Sequence, residues 1–224
     1  MEAGVEIVGM GLSGGQVTMA GRRALDSCRW LGHYGLPLQV RADFLRQWPD
    51  AVDLDACLDS GQGHGFVARL GAAVSGAALR HGRAGLAVAG HPVAANPATV
   101  WLRPHLESQG IAVAIHGAPS ALDHFMAATG VDLLAHQVSL VDARGWLADE
   151  DGRAGRALAI WNVAYLPEGQ RPLLLERLRR RFVDGHPLSL FRVVGNQPRI
   201  EQFALGQAAA WLARVDAETT VFVF

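Results

Sequence analysis

Gly85-Leu86-Ala87-Val88-Ala89-Gly90-His91-Pro92-Val93-Ala94-Ala95-Asn96-Pro97 decides the fold. Its first half is a run of small apolar residues that reads as a buried strand, and it ends abruptly in a Gly-His-Pro corner. A helical pattern starts at Ala98. Strand, tight loop and helix is the junction at which α/β proteins hold ligands, just outside the carboxyl ends of their strands. The loop from Gly90 is therefore expected to form the floor of a ligand site.

Upstream, Val5-Glu6-Ile7-Val8-Gly9-Met10 reads as a strand, and Gly9-Met10-Gly11-Leu12-Ser13-Gly14 satisfies GxGxxG. Thr18 is placed to cap a helix running through Ala20, Leu25 and Trp30. Three features argue against a dinucleotide fold. Gly15 and Gln16 lengthen the loop, the second strand is poorly defined, and no acidic residue ends a strand about 20 residues on to hold a ribose. The region from Gly32 to Gly61 is faint, with a helical turn or two from Asp43 to Trp48 stopped by Pro49, and with Cys57 and Leu58 as core candidates. Gly65 to Arg80 shows a helical face at Phe66, Leu70, Val74 and Leu79, ended by Gly82.

Downstream, Pro104 is expected to kink the helix from Ala98 or confine it to two short pieces, and Gly110 ends it. Ile111 to His116 reads as a strand, followed by Gly117-Ala118-Pro119 and by a helix opened by Ser120, with Asp123 three residues on, and closed by Gly130. This repeats the earlier geometry, and two such loops side by side would surround one ligand. In the second half Gln137–Val141, Leu158–Val163, Leu188–Val194 and Thr219–Phe224 are strand-like. Arg199–Phe203 alternates and should pair antiparallel with its predecessor. Helices are expected between Leu173 and Phe182 and between Gly206 and Arg214. A boundary near Gly117–Pro119 would give two α/β domains, 1–117 and 118–224, with a cleft between them.

The totals narrow the chemistry. The 224 residues suffice for a full core, and half of them are apolar. The net charge of −1 recruits neither nucleic acid nor an anionic membrane. There is no lysine, so Schiff-base and lysine general-base mechanisms are excluded. Cys28 and Cys57 make no CxxC, which suits a reduced, cytoplasmic protein. The first residues show no basic region followed by an apolar run, and no apolar run approaches about 18 residues, so neither a signal peptide nor a membrane span is expected. The nine histidines show no HExxH and no clustered ligand spacing, so no dedicated metal site is expected. His91 stands apart, at a strand end between a glycine and a proline that fix the backbone. Arg177, Arg179, Arg180 and Arg181 read as a solvated helix face, and Ser120 does not stand in a GxSxG elbow. Asn162, between Trp161 and Val163, needs a partner if buried, and a bound heterocycle could supply it.

A glycine-rich first loop, the Gly90-His91-Pro92 corner, Gly117-Ala118-Pro119-Ser120-Ala121 and the closing Thr219-Thr220 strand resemble the tetrapyrrole methylase superfamily. Within it the chain is most similar to the borosin peptide α-N-methyltransferases, through Gly15-Gln16-Val17-Thr18, Gly90-His91-Pro92, Gly130-Val131-Asp132, His136-Gln137, Trp161-Asn162 and Arg199-Ile200-Glu201. The resemblance spans nearly the whole chain. It implies a two-domain α/β fold, each domain a mostly parallel or mixed sheet flanked by helices, with S-adenosylmethionine in the interdomain cleft, and a homodimer. It would set Gly90, His91 and Ala94 against the methionine part of the cofactor, with Ser120 and Ala121 beside it. Asn162 would take the place of the family's glutamine, and Val194, Gly195, Thr219 and Thr220 would lie near the adenosine. No metal is implied, because methyl transfer from a sulfonium needs an aligned nucleophile.

The chain departs from those relatives at the chemistry. They carry Arg-x-x-x-Tyr on the helix before the Gly-His-Pro strand and a tyrosine just before that corner, groups that help an amide lose its proton. Here the helix reads Gly-His-Gly-Phe-Val-Ala-Arg-Leu over 63–70, and Ala89 precedes Gly90. Arg69 and His64 are the candidates to substitute as catalytic groups. The chain stops within its last strand, so a peptide substrate would be a separate chain. The resulting expectation is a methyltransferase acting on a separate ribosomal peptide. A tetrapyrrole or other small-molecule methyltransferase of the same fold is the second reading, and a catalytically degenerate binding subunit is the third.

Overall fold

The computed structural model describes residues 3–57, 64–149 and 156–224. The chain divides into two compact units, Met1–Ser120 and Ala121–Phe224. The first is built on a five-stranded parallel sheet of β1 (Gly4–Gly9), β2 (Trp30–Tyr34), β3 (Val52–Asp53), β4 (Arg83–Val88) and β5 (Ala112–His116), ordered β3-β2-β4-β1-β5. On one face, α1 (Met19–Asp26) and α2 (Leu38–Gln47) bury Ala24, Leu25, Val40 and Phe44. On the other, α3 (His64–His81) and α4 (Pro97–Glu107) bury Leu70, Val74, Ala98 and Leu102.

Covering both faces explains the sequence of β4. Ala84 to Val88 is a continuous buried run because a central strand of a parallel sheet meets helices on each side. Gly85 keeps that strand slim, since an added Cβ would stand 3.2 Å from Cys28 Sγ and 3.2 Å from Leu25 Cδ2. Helix ends follow their caps: the Thr18 hydroxyl accepts from Gly21 N (3.1 Å), the Asn96 side chain accepts from Thr99 N (3.2 Å), and Gly82 and Gly110 take left-handed backbone after α3 and α4.

Three expectations for this unit are corrected. The helix opened at Thr18 ends at Asp26, and Trp30 begins β2, a regular strand hydrogen-bonded between β3 and β4. Leu79 is exposed, and Ala77 and Ala78 fill the buried face in its place. Pro104 does not divide α4: the fully buried Leu102 and Leu106 flank it and hold one continuous helix against the sheet. Leu58 lies outside the described residues, and Cys57 packs half-buried against the core.

The second unit carries α5 (Ala121–Thr129), β6 (Val138–Asp142), α6 (Ala143–Ala148), β7 (Ala157–Trp161), α7 (Arg171–Arg179), β8 (Pro187–Val194), β9 (Gln197–Ala204), α8 (Ala208–Leu212) and β10 (Thr220–Val223). Its sheet is mixed, ordered β6-β7-β10-β8-β9, with only β6 and β7 parallel. The β8–β9 pairing is antiparallel, as the alternation of Arg199–Phe203 requires. Its two-residue turn places Gly195 at φ 61, the position at which a tight hairpin needs glycine. The last strand is central. Val221 and Val223 enter a core with Leu158, Leu174 and Trp211, while Phe222 stacks on Phe125 at 3.7 Å on the other face. Arg177 lies 5.0 Å over the Trp146 ring and donates to the Leu147 carbonyl, and Arg179 and Arg180 pair with Asp184 and Glu176. The arginine run therefore serves its own unit. Among the described residues, no helix is long and apolar enough to cross a membrane.

One charge is buried in the first sheet. Glu6, 7% exposed in mid-β1, accepts from Arg83 Nε at 3.0 Å and lies 2.7 Å from His116 Nε2. Burial alone raises its pKa, but the bonds from His116 and Arg83 outweigh that and hold it below its ordinary 4.5. The unfolded chain thus binds this proton more readily. The stabilisation is complete above about pH 4.5 and is lost as pH falls through the depressed folded value. Glu6→Gln is expected to lower stability at pH 7 by about 1–2 kcal/mol and to flatten the acid limb of a denaturation-midpoint-against-pH profile. A limb as steep as the wild type's would remove Glu6 as its source.

Candidate functional site

At the carboxyl rim of the first sheet three loops converge. β1 and β4 are neighbours, but their following helices leave on opposite faces, α1 on one and α4 on the other. Such a divergence opens the crevice at which open α/β sheets hold ligands. Here the two loops are stitched across it by Met10 N to the Val88 carbonyl and Gly90 N to the Gly11 carbonyl, each 2.9 Å. Gly9 makes that closeness possible. A Cβ on it would press into the Gly90 carbonyl oxygen and stand 2.8 Å from Pro92 Cδ and 3.1 Å from Ala118 Cβ. The loop after β5 joins through Gly117, where a Cβ would stand 2.8 Å from His91 Nε2. Two strand-end glycine loops thus meet around one point, as the repeated pattern in the sequence suggested.

His91 is half-buried at this junction, and Val93 N donates to its Nδ1 at 3.3 Å. In the neutral ring that bond puts the proton on Nε2, which faces the bare backbone of Gly117. Gly90 and Ser120 are buried and Ala94 is half-buried on the same loops. Ala121 opens α5 and belongs to the second unit. Ala95, two residues before the Pro97 that opens α4, holds a left-handed backbone at φ 54. For a side chain other than glycine this costs on the order of 1–2 kcal/mol, and strain of this kind concentrates at ligand-binding loops.

The GxGxxG loop answers differently. Gln16 Oε1 accepts from Leu12 N (2.9 Å) and Ser13 N (3.1 Å), so amides that a dinucleotide fold offers to phosphate are taken by the chain itself. The glycines form a turn closed on a glutamine. A depression of about 190 Å³ beside it, lined by Ser13, Gly14, Gly15, Asp43 and Phe44, falls short of the about 300 Å³ at which small-molecule pockets begin.

In the second unit, the remaining expected residues gather at one end of its sheet. β7 ends at Trp161 and β8 at Val194, and antiparallel β10 starts beside both. Asn162, Val194, Gly195, Thr219 and Thr220 therefore share that end. Asn162 is left-handed at φ 61, and its amide donates to Asp142 Oδ2 at 2.8 Å. The partner its sequence context demanded is thus an aspartate, with the side-chain carbonyl still available. Thr219 donates to Asp216 Oδ1 at 2.6 Å, so its hydroxyl builds a turn, whereas Thr220 is buried in the strand.

Of the two catalytic candidates, only the side chain of Arg69 lies among the described residues. Arg69 is exposed, and its Nη2 donates to the Cys57 carbonyl at 2.8 Å, tying α3 to the turn before it. The side chain of His64 lies outside the described residues. What the sequence reading missed is Tyr34. It ends β2, is 7% exposed, and its hydroxyl donates to Asn96 Oδ1 at 2.8 Å and lies 3.2 Å from Thr99 Oγ1. Burial pushes its pKa up, so at neutral pH the phenol is a hydrogen-bond donor. An asparagine directly before Pro97 was the one available signal, marking the helix cap to which it binds.

No protein-family model matches the chain, and none of the curated proteins matches it in sequence. Solved structures do. Uroporphyrin-III C-methyltransferase from Thermus thermophilus superimposes with a TM-score of 0.70 at 17% identity, covering 100% of this chain and 92% of that one. The same enzyme complexed with S-adenosyl homocysteine gives 0.67 at 18%, over 98% and 91%. Diphthine synthase gives 0.65 at 14%, over 98% and 89%. The chain has the tetrapyrrole methylase fold. In this tetrapyrrole methylase fold the loop junction at Gly9 is the constraint most open to test. Gly9→Ala should force the Gly90 and Pro92 backbone apart, at about 1–3 kcal/mol. The check is a chemical denaturation midpoint, and a midpoint equal to the wild type's would refute the close approach.

Proposed function

We propose that this protein is an S-adenosylmethionine-dependent methyltransferase. The supporting observation is a full-length likeness in fold to a methyltransferase solved with S-adenosyl homocysteine. The residues suit that cofactor. The loops offer backbone groups, an imidazole edge, a free amide carbonyl and small side chains, while the one phosphate-like cradle is closed by Gln16. In this reading Gly90, His91, Ala94, Ser120 and Ala121 hold the methionine part, and Asn162, Val194, Gly195, Thr219 and Thr220 hold the adenosine. When bound, the cofactor supplies a methyl group made electrophilic by its sulfonium.

The chain's own part is to bind and orient. The Val93 amide fixes the His91 ring so that Nε2–H points into the loop junction. The Gly11–Gly90 bridge and the Tyr34–Asn96 bond hold that loop rigid before anything binds, which is where an alignment-driven reaction gains its rate.

For the acceptor, the Gly90-His91-Pro92 and Trp161-Asn162 resemblances support a separate peptide methylated at nitrogen. One observation favours the second reading, a small-molecule nucleophile. Ala89 stands where the relatives keep a tyrosine, and the tyrosine at this rim, Tyr34, is spent on Asn96 and Thr99 and held protonated. A backbone amide needs a base to become a nucleophile, whereas an already nucleophilic small molecule does not.

Calorimetric titration with S-adenosylmethionine should show binding that His91→Ala with Asn162→Ala weakens by about tenfold or more, the worth of one or two hydrogen bonds. Unchanged affinity would refute the site. Incubation with cofactor and either candidate peptides or tetrapyrroles, read as added methyl mass, then separates the acceptor classes. Binding without any transfer would identify a cofactor-holding partner subunit.

A further inference from the structure

On the other face of β2, away from Tyr34, stands a second group that the methyltransferase reading does not use. His33 is fully buried against the edge of Phe44, with ring centroids 5.5 Å apart. Among the described residues neither of its ring nitrogens has a hydrogen-bond partner. A buried imidazole in that condition has given up water for nothing, and such a group in a native fold calls for an occupant. Parallel pairing sets His33 directly beside Asp53 of β3, and Leu54 N donates to the His33 carbonyl at 2.9 Å. One ring nitrogen of His33, one carboxylate oxygen of Asp53 and one of Asp55 all lie within 4.8 Å of one another.

The carboxylates are held before any ion arrives. Asp55 N donates to Asp53 Oδ1 at 2.8 Å, and Gly35 N donates to Asp55 Oδ1 at 2.7 Å. The outer oxygens face a single cation: Arg41 of α2 pairs with Asp53 through Nη2 and with Asp55 through Nη1 at 3.3 Å. The guanidinium thus bridges the two carboxylates and leaves both ring nitrogens of His33 without a partner among the described residues.

We propose that His33, Asp53 and Asp55 bind a late first-row divalent metal ion, with Arg41 as the internal cation that the metal displaces. One imidazole and two carboxylates are a donor set that zinc and its neighbours accept, while magnesium prefers oxygen alone. Two anionic ligands balance a dication, and the arginine swings to solvent with its charge intact. Ligand atoms of a tetrahedral site with bonds of about 2.0 Å lie about 3.3 Å apart, so the three groups, already within 4.8 Å of one another, need to close by about 1.5 Å at most. The occupied site would pin the β3 turn to β2 and α2, and it stands whether or not the protein transfers methyl groups.

The test is calorimetric titration of the full chain with zinc, followed by cobalt(II) for its visible spectrum. One zinc per chain is expected, with a nitrogen- and oxygen-ligand cobalt spectrum free of a thiolate charge-transfer band. Asp53→Asn with Asp55→Asn should weaken binding by more than about tenfold, and Arg41→Gln, which removes the competitor and leaves every ligand, should tighten it. No binding at millimolar zinc, a thiolate band, or an affinity that the aspartate pair leaves unchanged would overturn the proposal.

Discussion

Between Gly9 and Gly90 there is no space for a methyl group, and the first unit is arranged around that contact. The strands β1 and β4 send their helices to opposite faces, and the loops leaving them still stay in touch at the rim. The Gly11–Gly90 bridge does this with backbone atoms alone. The third loop closes on the same point because Gly117 leaves room for the His91 ring. Three glycines from three strand ends thus do one job, and the imidazole orientation that the functional reading depends on is a consequence of it.

The same contact explains why the GxGxxG stretch misleads. A dinucleotide fingerprint uses its glycines to bring a pyrophosphate near free amides. Here Gly9 and Gly11 bring another loop near, and Gln16 folds back onto the amides that remain. The motif's letters are satisfied while its chemistry is inverted, from holding a ligand to holding a neighbouring loop. The sequence carried a trace of this in the two extra residues, Gly15 and Gln16, before the helix cap at Thr18.

Elements whose burial is two-sided were legible from residue order. β1, β4 and β7 are apolar runs closed by glycine or by a cap, and the β8–β9 hairpin announced itself through alternation. What could not be read were elements held by partners far along the chain. β2 has a glycine and a histidine in its middle and reads like the tail of α1, and it is a strand because β4 and β3 complete its ladder. β3 is two residues long and exposed. The site shows the same division. The Gly-His-Pro corner stood out locally, whereas the Tyr34–Asn96 bond joins positions 62 residues apart. Asn162 visibly needed a partner, but that it is Asp142 follows from β6 and β7 lying side by side. The backbone likeness to solved structures accordingly holds at identities of 14 to 18%, where no match in sequence remains.

The carboxyl end of β2 gathers the consequences of strand alternation in two adjacent residues. Successive side chains of a strand face opposite ways. Tyr34 therefore enters the face covered by α3 and α4, touching Phe66 and gripping Asn96, while His33 enters the face of α2 beside Phe44. One residue tightens the loop that carries His91, and the other sits unpaired beside two carboxylates of β3 and its following turn. A rigid ladder runs between them: Tyr34 pairs in register with Val88 of β4, and His33 with Asp53 of β3. The β3 turn and the start of α4 are thus joined through a single strand, by the β2–β3 pairing on one side and the Tyr34–Asn96 bond on the other. Tyr34 and His33 share one backbone segment, and a shift of β2 by a single residue would exchange the faces that both side chains enter, so the Asn96 grip on one side and the approach to Asp53 on the other depend on one register.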